Sequence, residues 1–208
     1  MGKSIITGIT ALMLLISLML IGITVASIIT GENTEATTED NFDQMTKEVI
    51  DEISTYIQIK DQKGKYFNAN GEQKIEKIAL LISPLITQEI DLSQLTIQLN
   101  DGESVIFLVY TGNVKNLESN SIFDHPIWDD INGSNFGFIP IIDLDGSLVN
   151  YNIINDCSDN VYVVFKLPRD MIITKNEKLI VTLFPSTVIT RTTVLEAPLP
   201  IKQIVTFE

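Results

Sequence analysis

Asn132-Gly133-Ser134 is an acceptor tripeptide for an N-linked glycan, an asparagine amide two residues ahead of a hydroxyl in a polar stretch. Two groups of hard oxygen donors, the kind calcium takes, lie on either side of it: Asp129-Asp130 with Asn132, and Asp143-Leu144-Asp145-Gly146. Neither completes a calcium loop, because the closing glutamate is missing, and a turn with solvated acids is the plainer reading of both. Asn155-Asp156-Cys157 is a rarer variant of the glycan acceptor. His125 and Trp128, in DHPIWDD, sit in a loop that either touches an outside surface or a neighbouring subunit, or tucks onto its own domain. Cys157 is either buried or simply free.

Other chemistry is excluded more firmly. No G-x-S-x-G, H-E-x-x-H, P-loop or dinucleotide fingerprint occurs, and one histidine with one cysteine cannot build a multi-histidine metal site or a local Cys/His signature. The chain reads as no enzyme, with no catalytic residues and no cofactor beyond a structural calcium ion at the aspartates named. A net charge of −13 over 208 residues repels a phosphate backbone, so nucleic acid is no partner. The lone cysteine closes no intrachain disulfide.

The elements that must carry these loops begin with an apolar rod. Residues 5–29 hold no charge, no proline and no aromatic ring. As a helix at about 1.5 Å per residue they run roughly 37 Å, enough to cross a hydrocarbon core of about 30 Å. Lys3 precedes the rod, whereas residues 32–52 carry eight acids against Lys47 alone, which keeps the beginning cytoplasmic and the remainder outside. Gly8, Ala11, Gly22 and Ala26, with Leu15 and Leu18 between them, give the rod a face on which helix backbones approach closely. Thr7, Thr10 and Thr24 add hydroxyls for its own helix or a neighbour's. Phe42, Met45, Val49, Ile53 and then Tyr56 or Ile57 continue at helical spacing, with acids and Lys47 on the opposite side. That stripe needs a partner: the protein's own sheet or another copy's stripe.

Past this helix the period changes. Lys60 to Gly71 reads as a turn region, and β-rich runs follow at 75–82, 95–99, 105–110, 136–142, 161–167, 178–184, 187–195 and 201–207. The resulting expectation is an α+β chain: a long N-terminal hydrophobic helix over residues 1–60, then an antiparallel, immunoglobulin-like β-sandwich or a barrel over 61–208.

The run KIALLISPLITQEIDLSQLTIQLNDGESVIFLVY resembles the first strands of the archaeal flagellins, or archaellins. TGITALMLLISLMLIGITVAS resembles their N-terminal helix, DGSLVN followed by NVYVVFKLP their middle strands, and EKLIVTLFPSTVITRTTVLEAP their final hairpin. The likeness covers nearly the whole chain and is weakest over 112–135. It implies a structural subunit of a helical swimming filament on the archaeal cell surface, with the helices bundled in the filament core and the β-domains outside. It also implies a homopolymer or a copolymer with related archaellins, a membrane-inserted state before assembly, a prepilin-type peptidase that trims a leader, and a basal platform that receives the subunit. Family leaders carry several basic residues before a glycine, whereas this chain offers Met1-Gly2-Lys3-Ser4, so either the start is atypical or the cut falls after Gly2. Thr10 stands near where related pilins carry an acid, and no charge-based contact forms there. The rival readings are a type IV pilin-like adhesive subunit and a membrane-anchored accessory β-domain of the cell surface.

Overall fold

The computed structural model describes residues 56–69, 71–117, 121–185, 190–198 and 202–207. Two compact units divide the chain, Met1–Val49 and Ile50–Glu208, and every described residue belongs to the second. The expected N-terminal helix, its packing residues Gly8, Ala11, Leu15, Leu18, Gly22 and Ala26, and the stripe over 42–53 lie outside the described residues. Among the described residues no helix is long and apolar enough to cross a membrane.

The described unit is mostly β-structure. Its strands are β1 (Ile57–Ala69), β2 (Glu72–Pro84), β3 (Ile90–Asp91), β4 (Thr96–Asn100), β5 (Val105–Val114), β6 (Asn135–Ile142), β7 (Ile153–Ile154), β8 (Asn160–Lys166), β9 (Lys178–Phe184), β10 (Arg191–Glu196) and β11 (Ile204–Thr206). Two short helices interrupt them, α1 (Ile127–Asp130) and α2 (Ser147–Tyr151). β1 is a correction to the sequence reading, which placed residues up to 60 in a helix and 60–71 in a turn. Its IQIKDQKGKYFNA hides a strand because the outward face is polar, while Ile57, Gly64 and Tyr66 are buried and its backbone pairs with both β2 and β11. The turn itself is reduced to the step between Ala69 and Glu72. Gly71 takes φ +85° there, a conformation in which a Cβ is strained, and donates its N–H to Asn68 Oδ1.

Nine strands form one sheet in the order β10-β9-β4-β5-β6-β8-β2-β1-β11, and β3 and β7 make a separate two-strand ladder. Every ladder is antiparallel except β5 with β6, which corrects the wholly antiparallel expectation. A parallel neighbour requires a long connection, and residues 115–134 supply it. The sheet curls until its ends meet: Thr193 of β10 donates to Gln62 Oε1 of β1 at 2.9 Å, and Arg191 donates to the Tyr56 hydroxyl at 2.9 Å. Side chains from both ends therefore share one core with its middle, including Ile57, Ile78, Leu99, Phe165, Leu195 and Phe207.

The strands at the sheet's centre are buried on both faces, which is why β8 reads as the continuous apolar run VYVVF. In register, Ile78, Phe165 and Phe136 lie on one face with Leu80, Val163 and Phe138, and these line the main core. Ala79, Val164, Tyr162 and Ile139 point the other way into a second cluster, closed by Phe123, Ile127, Trp128 and Ile131.

Candidate functional site

The connection that makes β5 and β6 parallel also carries the acceptor asparagine. Residues 121–131 lie across the outer face of β2, β8 and β6, and their apolar side chains account for the second cluster. Trp128 is 2% exposed, stacks on Phe123 with ring centroids 5.8 Å apart, and donates its indole N–H to the Ile122 carbonyl at 2.7 Å. The Lys77 ammonium lies 4.9 Å from the Trp128 ring centroid, and burial, with the charges of Lys166 and Lys65, lowers its pKa. His125 is also 2% exposed. Its Nδ1 accepts the Ile127 N–H at 3.2 Å, so the ring proton sits on Nε2, which donates to the Asn116 carbonyl at 2.7 Å. Of the two readings of DHPIWDD, the tucked loop is the one the structure shows.

Asn132 follows this cover and leads into β6, exposed to solvent. Its Oδ1 accepts two bonds from Ser134, from the backbone N–H at 2.8 Å and the hydroxyl at 2.7 Å, while its own N–H donates to Asn135 Oδ1 at 2.7 Å. The Asx turn thus engages the oxygen end of the amide, and the nitrogen end is the atom to which an N-linked glycan attaches. Gly133 sits where a Cβ would come within 3.0 Å of Pro168 Cα, so the middle position of the acceptor is held against a second loop. The variant acceptor at Asn155 is built oppositely. Asn155 is half-buried, and its Nδ2, the nitrogen a glycan would need, donates to Asp145 Oδ2 at 2.7 Å.

The acidic groups take structural parts. Asp145 also accepts the Ser147 N–H at 3.0 Å, at the start of α2, and these bonds hold its carboxyl down to about 2. The Asn155 amide is the largest cause. Asp143, half-buried beside it, is pushed upward chiefly by burial, against the lowering effect of the Leu148 and Val149 N–H groups. Asp130 forms an ion pair with Lys115, on the far side of the connection from Asp143 in sequence, while Asp129 is exposed. Among the described residues no three His, Cys, Asp or Glu side chains group closely enough to hold a metal ion. Cys157 is exposed, and its thiol lies 3.6 Å from the Leu85 carbonyl it donates to.

Sequence reasoning missed one surface. β5 was legible as a strand, but VIFLVY is apolar at every position, and Val105, Phe107 and Val109 emerge on the outer face, each about half exposed. The continuous apolar run was the available signal, since a strand with one solvated face ordinarily alternates.

No family model matches the chain. It is 30% identical over 147 residues to Flagellin B3 of Methanocaldococcus jannaschii, an alignment covering 69% of this chain and 66% of that protein. The chain thus spans about two thirds of that relative's length. Its fold is similar to the crystal structure of archaeal flagellin FlaB1 from the same organism, with a TM-score of 0.62 and 20% identity over 73% of this chain and 95% of that one. The archaeal flagellum of Methanospirillum hungatei aligns with a TM-score of 0.48 and 12% identity over 91% and 92% of the two chains.

Proposed function

The chain belongs to the archaeal flagellins, and from that premise we propose that it is a structural subunit of an archaeal swimming filament, polymerising through its N-terminal helix. The identity to Flagellin B3 over 147 residues is the observation that carries this reading, and the β-rich unit with its likeness to the FlaB1 fold supports it. The subunit performs no reaction. Its function is to adhere to copies of itself, or to related archaellins, in a contact that does not close, so that addition continues as a fibre.

In this reading the residues before β1 form the hydrophobic helix, and the β-domain, which begins at Ile57, faces the medium. Exposing the rod's Leu, Ile, Met and Val side chains to water would forfeit on the order of 1.5–3 kcal/mol each, so lipid holds the helix before assembly and sister helices hold it afterwards. Exchange of lipid for protein gains little from hydrophobicity itself. Close packing at Gly8, Ala11, Gly22 and Ala26, with Leu15 and Leu18 filling between, supplies the preference. A prepilin-type peptidase frees the mature end, and the basal platform draws the subunit from the membrane into the filament on the cell surface. Asn132 carries a glycan on the outward domain. In this reading the Asp145 turn is closed by Asn155 and Ser147 rather than by a calcium ion.

Shearing cells and imaging what pellets tests the reading. Filaments containing this chain, with swimming lost when its gene is deleted, are the expected result. Filaments whose loss affects attachment alone would assign it to adhesive pili instead, and a chain that stays with the membrane would make it an anchored accessory protein.

A further inference from the structure

The two halves of the curled sheet differ in how their outer faces are finished. Over β2, β8 and β6 the segment 121–131 covers the apolar side chains. Over β5, β4, β9 and β10 the inward face is core, with Leu108, Ile97, Val181 and Leu195 buried, while the outward face meets solvent.

Register places the outward side chains in three rows. Val109, Thr96 and Phe184 form the first; Phe107, Gln98, Thr182 and Thr192 the second; Val105, Asn100, Ile180 and Val194 the third. Not one of these is charged. Phe107 is 55% exposed and Val105, Val109 and Val194 are 51%, 52% and 45% exposed. Two of the polar members bond each other, the Thr182 and Thr192 hydroxyls lying 3.0 Å apart. The nearest opposite charges on these strands, Lys178 and Glu196, pair at 2.9 Å beyond the third row.

An uncharged face on which Val105, Phe107, Val109, Ile180 and Val194 stand exposed among threonine and amide side chains, with an ion pair at its rim, marks an interaction surface. We infer that this face is the lateral contact between β-domains, occupied by a second copy of this chain. The filament reading supplies the occupant, and the net charge selects the face. Copies carrying −13 repel one another, and a carboxylate-free face is where two of them can approach without stacking acid upon acid. Copies crowd together only if the filament reading holds, so the inference rests on it. A face so rich in β-branched residues would also invite non-specific association if left open, which a filament contact prevents.

The test uses the full chain in a Cys157→Ser background carrying Phe107→Cys, labelled by a polar maleimide in intact filaments and again after dissociation in detergent. Labelling slowed by roughly tenfold or more in the filament is expected, since the centre of an interface excludes water. Equal rates in both states overturn the inference. Slow labelling in both also overturns it, by showing that residues 1–55 of the same chain cover the face. Phe107→Lys is expected to stop assembly while the domain melts as before, and Leu144→Lys, at a site 86% exposed elsewhere, to leave it intact; normal filaments from Phe107→Lys would count against the contact. If the wild-type chain forms no filaments, the proposed function fails separately. Labelling of the membrane-borne chain at low and high surface density then decides the face, and density-independent rates overturn it.

Discussion

Gly137→Ala puts the seating of the 121–131 cover to a quantitative test. Gly137 lies in β6 opposite Val164, where both the cover and the β5 backbone come close. A Cβ built there would stand 2.7 Å from Ile127 Cδ1, 2.9 Å from the Asn113 carbonyl oxygen and 3.2 Å from Asn113 Cβ. The first of these is a side-chain tip that can turn aside, although Ile127 is fully buried. The second is backbone, in the part of β5 where its parallel pairing with β6 skips from Tyr110 to Val114, and it cannot yield without moving that strand. Overpacking of one methyl group costs about 1–3 kcal/mol. For a domain of this size about 1 kcal/mol lowers Tm by roughly 2–4 °C, so a fall of roughly 2–12 °C is expected. Trp128 is the one tryptophan in the chain and sits in the cover, so its fluorescence reports this unit alone in the full-length protein held in detergent. Ile127→Val removes Cδ1 and by itself costs about 0.5–1.5 kcal/mol. Combined with Gly137→Ala it should relieve the side-chain half of the clash and leave the Asn113 half. The double variant should therefore be more stable than the sum of the singles by roughly 0.5 kcal/mol or more. An undiminished Tm for Gly137→Ala, or strict additivity of the pair, would refute the close approach of cover and strand.

Four further outcomes follow from the geometry. Asn155→Ala should lift the Asp145 carboxyl from about 2 toward its ordinary 3.8, read from side-chain NMR shifts against pH. Because that value is depressed on folding, its contribution is present above about pH 4 and lost as pH falls through about 2, and an unmoved midpoint would remove Asn155 as the cause. The Tyr110 phenol, pushed up to about 12 by burial and then by the charge of Asp91, donates to Asn152 Oδ1 at 2.6 Å. Its folded form keeps the proton where an unfolded phenol loses it, so stability is whole below pH 10 and declines between 10 and about 12; ultraviolet titration showing all phenols ionising together near 10 would contradict this. Asn132→Gln should reduce the intact mass of native filaments by one glycan, whereas Asn155→Gln should leave it unchanged. Chelation should leave the melting curve where it is.

How much was legible depended on whether a segment's partner could be read from the segment. β2, β6 and β8 were recovered to within a few residues, because strands in the middle of a core need β-branched and aromatic side chains whatever their neighbours are. β1 was not, because Lys63 and Lys65 face outward beside Asp61 and Asp124, and its ladder to β2 is invisible in a polar string. The acceptor Asn132 was found by its tripeptide, but the contrast with Asn155 required the amide bond to Asp145. Of the aspartates named as calcium donors, Asp130 pairs with Lys115 and Asp145 accepts from Asn155, partners that the string does not reveal.

By itself the sequence determined that the chain is acidic and that an uncharged apolar run over residues 5–29 precedes a series of β-rich runs, because composition and period are properties of the string. Tertiary structure alone decided that β5 runs parallel to β6, that Trp128 and His125 close a second core, and that Phe107 stands outside it. Those three facts are set by which strand faces meet after the sheet curls, and an apolar residue in a strand carries no mark of the face that will be covered.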